Sequence, residues 1–202
     1  MGQDWNGMSA TSRVGQRNTG TRDKLLDATI EIMLDEGYAA ATSRRVAEKA
    51  GVQRAMVYYY FPTMDDLYLA VLRRGYEANM EAQREALASE KPLHALWEMT
   101  VDPRGSRLTT EFMALGAHRE PIREELAAGA EQFREAQVEA LAEMVRDYAE
   151  GEGLHAEVVS VVLASIGRTI GLENGLGITT GHERTLKLVA EYLDRFDGPR
   201  PN

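Results

Sequence analysis

Small or apolar residues return at helical spacing along most of the chain. After Thr21 successive members of this set are one to three positions apart, and Gly37 follows the last turn, where glycine commonly ends a helix. These positions are Leu25, Leu26, Ala28, Thr29, Ile32 and Met33. The later segments are separated by glycine or proline, and none shows convincing strand alternation. The pattern predicts an all-α fold.

Two short helices joined by a tight turn follow this first helix. The earlier one has about eight residues, can be capped by Thr42 or Ser43, and ends at Gly51. The later one begins near Arg54 and is stopped by Pro62. Such a pair predicts a helix-turn-helix unit over about residues 42–61.

The rest of the pattern indicates four segments. We expect a flexible arm over residues 1–20, a three-helix domain over 21–66, a larger helical domain over 67–197 and a tail over 198–202. A capping box of Thr63 and Asp66 begins a long linking helix that reaches about Ser89. Five further helices are predicted: Pro92 to Thr100, Ser106 to His118, Pro121 to Tyr148, His155 to Leu176 and His182 to Phe196.

The net charge of −9 is unevenly distributed. Residues 1–62 hold eight basic and seven acidic residues, whereas the other 140 hold 15 basic and 25 acidic ones. Within eleven positions that contain one acid, Glu48, four basic residues crowd together: Arg44, Arg45, Lys49 and Arg54. A local basic face on an acidic protein is compatible with phosphate contacts.

Composition excludes several other classes of protein. The chain has no cysteine, which excludes disulfides, thiol catalysis and zinc-thiolate sites. Its four histidines do not have the spacing of a metal site, so we expect no catalytic residue, no metal and no cofactor. No apolar run reaches the roughly 18 residues of a membrane span, and no apolar signal core is present. We therefore expect a cytoplasmic protein without a membrane partner.

The stretch VQRAMVYYYF, residues 52–61, places three tyrosines in one short helix. A helix turns about 100° per residue, so the three rings cannot all face one core. Val57 and Phe61, four positions apart, are expected to anchor the helix, and Tyr59 is expected to be the most exposed ring. In a helix-turn-helix the second helix lies in the major groove, where Arg54 can bind guanine and Met56 a thymine methyl group. Taken singly, each of these residues also fits an ordinary solvated surface.

The stretch TSRRVAEKAGVQRAMVYYYFPTMDDLYLAVL resembles the DNA-binding domain of TetR-type transcriptional regulators, whose pattern is T-x-R-x-I-A-x-x-A-G-V-S-x-x-x-L-Y-x-Y/H-F-x-S-K-x-x-L. The likeness is strong over about residues 21–75, and beyond them it consists of length and helical character. The resemblance implies DNA contacts from Thr42, Ser43, Arg44, Arg54, Ala55, Met56, Tyr58, Tyr59 and Tyr60. Gln53 replaces the usual serine and is counted with this set. Met64 replaces the usual lysine, so we expect more reliance on Thr63, the tyrosine hydroxyls or the N-terminal arm.

The resemblance also implies that the larger domain binds an effector and forms a homodimer through its last two helices. The apolar stripes there nominate Val162, Ile166, Ile170, Leu186, Val189 and Leu193 for the interface. Candidates for an effector site are Trp97, Met99, Phe112, Met113, His118, Phe133, Met144 and Glu173. For both sets, burial in the core of a single chain is the alternative.

The function that follows from this resemblance is a DNA-binding transcriptional regulator. We expect a repressor that binds a palindrome-like double-stranded DNA operator as a homodimer and is released by an unknown small molecule. An activator or a ligand-independent regulator with the same DNA-binding domain is the alternative. An all-helical enzyme is the reading that the sequence favours least.

Overall fold

The computed structural model describes the backbone of residues 9–152 and 155–198, and the side chains of residues 20–142, 155–196 and 198. Within these ranges all regular structure is helical, which confirms the all-α prediction. None of the helices described there combines the length and the hydropathy needed to cross a lipid bilayer.

The helices follow the predicted order. They are α1 (Ser9–Glu36), α2 (Ser43–Ala50), α3 (Arg54–Tyr60), α4 (Met64–Leu87), α5 (Pro92–Thr100), α6 (Pro103–Gly116), α7 (Glu120–Glu152), α8 (Ala156–Gly175) and α9 (His182–Asp197), with one 3₁₀ turn at Tyr38–Ala40. The chain divides into two compact units, Met1–Val71 and Leu72–Asn202, here called the N-terminal and C-terminal domains. Helix α4 crosses the division.

Two helices begin earlier than the sequence pattern predicts. Helix α1 starts at Ser9, so the predicted arm is helical from there to Gly20, while residues 1–8 lie outside the described part. Once the apolar part has nucleated a helix, each added residue gains a hydrogen bond at little further cost, and no proline interrupts it. Helix α6 starts at Pro103 because the side chain of Asp102 accepts from the amides of the first turn.

The core of the N-terminal domain is built from one apolar face of each helix. Its fully buried members include Leu25, Leu26, Ile32, Met33, Val46, Val57 and Leu67. The hydroxyl of Tyr68 donates to the carbonyl of Ala41 at 2.8 Å, which satisfies a buried polar pair. Gly51 ends α2 with φ +67°, a left-handed conformation that favours glycine. These contacts fix the direction in which α3 leaves the turn.

The core of the C-terminal domain is an apolar cluster contributed by five helices. Its buried members are Ala86, Leu93, Leu96, Trp97, Leu141, Ala156, Val189 and Leu193. Elsewhere in this domain, α4 and α7 approach closely at Gly129, where a Cβ atom would lie 2.3 Å from the ring of Tyr76. Burial raises the pKa of Tyr76 to about 12, so its hydroxyl stays protonated and donates to the carbonyl of Leu126 at 3.2 Å.

Small residues on α8 permit close contact with other helices of the same domain. A Cβ atom at Gly167 would lie 2.4 Å from Thr100 Cγ2 and 2.8 Å from the carbonyl oxygen of Thr100. Farther along, a Cβ atom at Gly171 would meet Ser106 at 2.9 Å. The small residues of α8 therefore serve packing within the chain.

We expect Gly167→Ala to destabilise the C-terminal domain by about 1–3 kcal/mol, because the added methyl group displaces the backbone of Thr100. The measurement is thermal unfolding followed by circular dichroism. Gly175→Ala is the matched control, since it lies on the same helix and a Cβ atom there meets no atom within 4 Å. Equal melting temperatures for the two variants would contradict the tight contact.

Candidate nucleic-acid interface

Helix α3 is anchored by a buried side, which directs its other residues outward. Val57 is fully buried and Phe61, just beyond the helix, is nearly so. The outward residues include Gln53, Arg54 and Ala55, all exposed, and the half-buried Met56. Sequence spacing had predicted this division between anchors and surface, and the burial of Val57 and Phe61 confirms the anchors.

The three tyrosines have different environments. Tyr59 is 70% exposed, Tyr58 is 42% exposed and Tyr60 is half-buried, so the prediction that Tyr59 is the most exposed of them is confirmed. The rings of Tyr59 and Tyr60 meet edge to face with centroids 5.1 Å apart. Such a contact restrains an exposed ring without covering it.

Ser43 links α2 to the exposed side of α3. Its hydroxyl oxygen accepts hydrogen bonds from Arg54 Nε at 2.9 Å and from the hydroxyl of Tyr58 at 3.1 Å. Arg54 also donates to the Tyr58 hydroxyl at 3.4 Å. The hydrogen bond with Ser43, followed by that with Arg54, lowers the pKa of Tyr58. The three side chains thus form one connected group.

This arrangement changes the interpretation of Ser43. The sequence had placed Ser43 among residues that touch DNA, but its side chain is only 4% exposed and is occupied by Arg54 and Tyr58. The side chains of Arg54 and Tyr58 on α3 lie across the start of α2 and engage this hydroxyl. Ser43 therefore orients two exposed side chains instead of presenting its own.

The predicted basic face is smaller than expected. Arg45 binds Glu36 through Nε at 3.1 Å and through Nη2 at 2.7 Å, and this interaction raises the pKa of Arg45. Lys49 lies 3.1 Å from Glu31 and 3.5 Å from Asp35, and its pKa is also raised, chiefly by the hydrogen bond with Glu31. Acidic residues of α1 therefore neutralise two of the four basic residues.

The exposed basic residues of the predicted face are Arg44, on α2, and Arg54, on α3. Thr42, the residue before α2, is exposed as well, and its hydroxyl caps the helix by accepting from the amide of Arg45 at 3.3 Å. The hydrogen bond of Arg54 with Ser43 brings Arg54 to the start of α2, where Thr42 and Arg44 also lie.

The start of α4 is a complete capping box. The Asp66 carboxylate accepts from the amide of Thr63 at 2.9 Å and from its hydroxyl at 2.8 Å, while the amide of Asp66 donates to that hydroxyl at 3.1 Å. The predicted capping box is confirmed. The Thr63 hydroxyl, which the sequence nominated for a DNA contact, is engaged within the chain.

The candidate effector residues are scattered in their exposure. Trp97 and Phe112 are buried, while Met99, Phe133 and Glu173 are half-buried. Met113 and His118 are exposed, which removes them from an interior site. Met113 follows the buried Phe112 by one position and is therefore rotated about 100° away from the core. The side chain of Met144 lies outside the described residues.

Glu173 has a partner in the chain. Its carboxylate lies 2.6 Å from His182 Nε2, and the other ring nitrogen of His182 lies 3.2 Å from the side-chain oxygen of Asn174. This group joins the end of α8 to the beginning of α9. Nothing in this geometry requires an effector.

Three of the six candidate interface residues belong to the core of the chain. Ile170, Val189 and Leu193 are buried within the C-terminal domain, and Ile166 packs against the apolar cluster. Val162 and Leu186 are exposed. The sequence pattern could identify apolar stripes on α8 and α9, but it could not show which stripe faces the remainder of the domain.

A second set of apolar residues on these helices is exposed and was not nominated. On α8 they are Val158, Val161 and Leu172, and on α9 they are Leu188 and Tyr192. At 100° per residue, the exposed apolar residues of α8, with Val162 included, fall within an arc of about 100°. This arc could have been found by treating the core stripe and the outward stripe separately.

Residues 25–71 match the family described as "Bacterial regulatory proteins, tetR family". Among known proteins, the HTH-type transcriptional activator FasR of Mycolicibacterium smegmatis is 39% identical to this chain over 66 residues, which cover 33% of this chain and 30% of FasR. The HTH-type transcriptional repressor KstR of the same organism is 38% identical over 76 residues, covering 37% of each chain. The match thus spans about a third of the length of these relatives.

Structural similarity extends over most of the chain. A putative transcriptional regulator from Saccharomonospora viridis, solved in complex with choline, superposes with a TM-score of 0.70 and 17% identity, covering 88% of this chain and 95% of that one. At this identity the likeness concerns the fold. Residues 25–71 therefore match the tetR family of bacterial regulatory proteins in sequence, and most of the chain shares its fold with this solved structure.

Proposed function

We propose that the protein is a transcriptional regulator that binds double-stranded DNA through α2 and α3. The observation that carries this proposal is the outward side of α3, where Arg54, Tyr58 and Tyr59 are exposed on a helix held by Val57 and Phe61. An arginine at the start of a helix and aromatic rings on its exposed side suit the major groove, where a good bidentate base contact contributes about 1–3 kcal/mol. The inward hydrogen bonds of Ser43 support a pre-oriented reading surface.

The proposed protein acts as a homodimer. Support comes from the exposed apolar arc of α8, which includes Val158, Val162 and Leu172, because contiguous apolar surface on a soluble protein commonly marks an interface. A twofold dimer brings two copies of α3 to half-sites about 34–36 Å apart, which accounts for a palindrome-like operator.

A small molecule releases the proposed repressor from its operator. A ligand shifts the population of the protein towards the conformation that it binds better. If DNA binds the other conformation better, the ligand lowers the affinity of the protein for its operator. The similar Saccharomonospora viridis structure holds choline, which supports a small-molecule site in proteins of this fold.

Activation is the second candidate function, because FasR is an activator whereas KstR is a repressor. Deletion raises reporter transcription under a repressor and lowers it under an activator.

The proposal is tested by selecting bound sequences from a random pool of double-stranded DNA with the purified full-length protein. Enrichment of a site with twofold symmetry and half-sites about one helical turn apart is the expected result. A parallel selection with the triple variant Arg54→Ala, Tyr58→Ala, Tyr59→Ala should enrich no such site. Failure of the unaltered protein to enrich any sequence would refute the proposal.

Replacing Ser43 tests the orientation of the reading surface. We expect Ser43→Ala to weaken operator binding about 3- to 10-fold, because one acceptor shared by Arg54 and Tyr58 is lost. Fluorescence anisotropy at fixed salt concentration measures the affinity. Glu48→Ala, an exposed change on the same helix, is the control.

The mechanism predicts coupling between Ser43 and its partner. If Ser43 acts by orienting Tyr58, the double variant Ser43→Ala, Tyr58→Phe should weaken binding by less than the sum of the two single effects. Additive effects would show that Ser43 does not act through Tyr58.

A further inference from the structure

Two buried polar atoms in the C-terminal domain lack a hydrogen-bond partner. Among the side chains that the structure describes, they are Oε1 of Gln83 on α4 and Nη1 of Arg134 on α7. Gln83 is only 1% exposed. Leaving such a group unsatisfied destabilises the fold, and more so when the group is charged. Buried polar groups therefore nearly always have a partner, and these two need an explanation.

Both residues lie where α4 meets α7. Gln83 Nε2 lies 3.5 Å from the carbonyl oxygen of Phe133, which immediately precedes Arg134 in the chain. Because this carbonyl is an acceptor, it selects the amide nitrogen of Gln83 and turns Oε1 away from itself. The result is an unpaired acceptor on α4 and an unpaired cationic donor on the adjoining part of α7.

Two other polar contacts between α7 and its neighbours are satisfied among the described side chains. Gln137, one turn after Arg134, accepts from the hydroxyl of Ser160. Towards the other end of α7, Glu125 receives two hydrogen bonds from Arg73, at 2.9 and 2.7 Å. The unpaired atoms are therefore a local feature and not a general looseness of this helix.

Apolar side chains continue from the two groups along both helices. Ala86 and Leu87 lie one turn after Gln83, and Val138 and Leu141 lie one and two turns after Arg134. All four belong to the apolar cluster or pack against it. The contact between the two helices is therefore apolar beyond the two polar groups.

We propose that Gln83 and Arg134 bind the polar end of an amphiphilic organic carboxylate. The guanidinium of Arg134 binds the carboxylate, as its charge and planar donors favour. Oε1 of Gln83 accepts from a hydroxyl or N–H group of the same molecule. A phosphate monoester is disfavoured, since taking a second negative charge into an apolar environment costs more. The binding site itself does not depend on the proposed function. Only the identification of this carboxylate as the effector rests on that proposal.

The test is the melting temperature of the full-length protein with defined probes. These are octanoate, 3-hydroxyoctanoate, octanamide, octyl phosphate, choline and sulfate. We expect octanoate to raise the melting temperature by about 3–6 °C and 3-hydroxyoctanoate to raise it further, while the other probes leave it nearly unchanged. Choline is repelled by Arg134, and sulfate controls for general anion effects.

Variants separate the two contacts. Arg134→Met should abolish both carboxylate shifts and should not lower the melting temperature of the ligand-free protein, because the buried and unpaired Nη1 atom is removed. Gln83→Leu should keep the octanoate shift and lose the increment due to the hydroxyl group. Arg123→Met, an exposed change on α7, is the matched control and should keep both shifts.

Several results would overturn the assignment. They are no shift with either carboxylate, shifts that persist in Arg134→Met, a ligand-free Arg134→Met protein less stable than the Arg123→Met control, or a larger shift with octyl phosphate. DNA selection distinguishes this outcome from failure of the regulator proposal. Carboxylate shifts without an enriched DNA site would leave the binding site standing and remove the regulatory function, and the reverse pattern would do the opposite.

Discussion

Phe61→Ala should unfold the N-terminal domain at a temperature where Tyr59→Ala leaves it folded. Phe61 is almost completely buried, and the guanidinium of Arg22 lies over its ring at 5.4 Å from the centroid. Truncating a buried phenylalanine costs about 3–5 kcal/mol, which is a large part of the total stability of a small domain. We expect loss of the helical signal of this domain in thermal unfolding.

Tyr59→Ala is the counterpart of this variant. Its ring is mostly exposed, so its removal should change the melting temperature little, while operator binding should weaken because a ring on the DNA-facing side is lost. Circular dichroism measures the first quantity and fluorescence anisotropy the second. Equal melting losses for the two variants would show that anchor and surface have been assigned wrongly.

The double variant Val162→Glu, Leu172→Glu should give a monomer with at least about 100-fold weaker operator binding. Both residues lie in the exposed apolar arc of α8, and a twofold interface places each new carboxylate in a buried contact with the partner. Loss of the partner removes the avidity gained from two linked half-sites, which commonly amounts to about 10²- to 10⁴-fold.

Light scattering after size-exclusion chromatography measures the oligomeric state at micromolar concentration. Met113→Glu is the control, because it places the same charge on another exposed apolar residue of the C-terminal domain, on α6. This control should remain a dimer and bind DNA normally. A monomeric unaltered protein would contradict the proposed assembly directly.

Helix positions were largely predictable because local chemistry determines them. Thr42 caps α2, Gly51 adopts the left-handed conformation that ends it, and the Thr63–Asp66 capping box starts α4. Each signal acts within four residues and can be read from the chain. The start of α6 is set by a local signal of the same kind, an Asp102 cap followed by Pro103. It was missed because this pair was interpreted as a break between helices and not as a helix start.

Pairings between helices were not predictable in the same way. Arg45 and Lys49 looked available to phosphate, but packing brings acidic residues of α1 beside them. Ser43 turned inward because α3 lies across the start of α2. Ile170 is buried while Val162 on the same helix is exposed, although both are apolar. These outcomes depend on tertiary packing, which the spacing of residues along one helix does not contain.

The ion pairs between α1 and α2 have a consequence for how the protein would discriminate among DNA sequences. Arginine and lysine that already face carboxylates release fewer counterions from DNA, and counterion release is the source of sequence-independent attraction. In a DNA complex, the directional contacts of Arg54 and the tyrosines then supply a larger share of the binding energy. Random DNA competes less for a protein built in this way, even when the cognate site is bound with moderate strength.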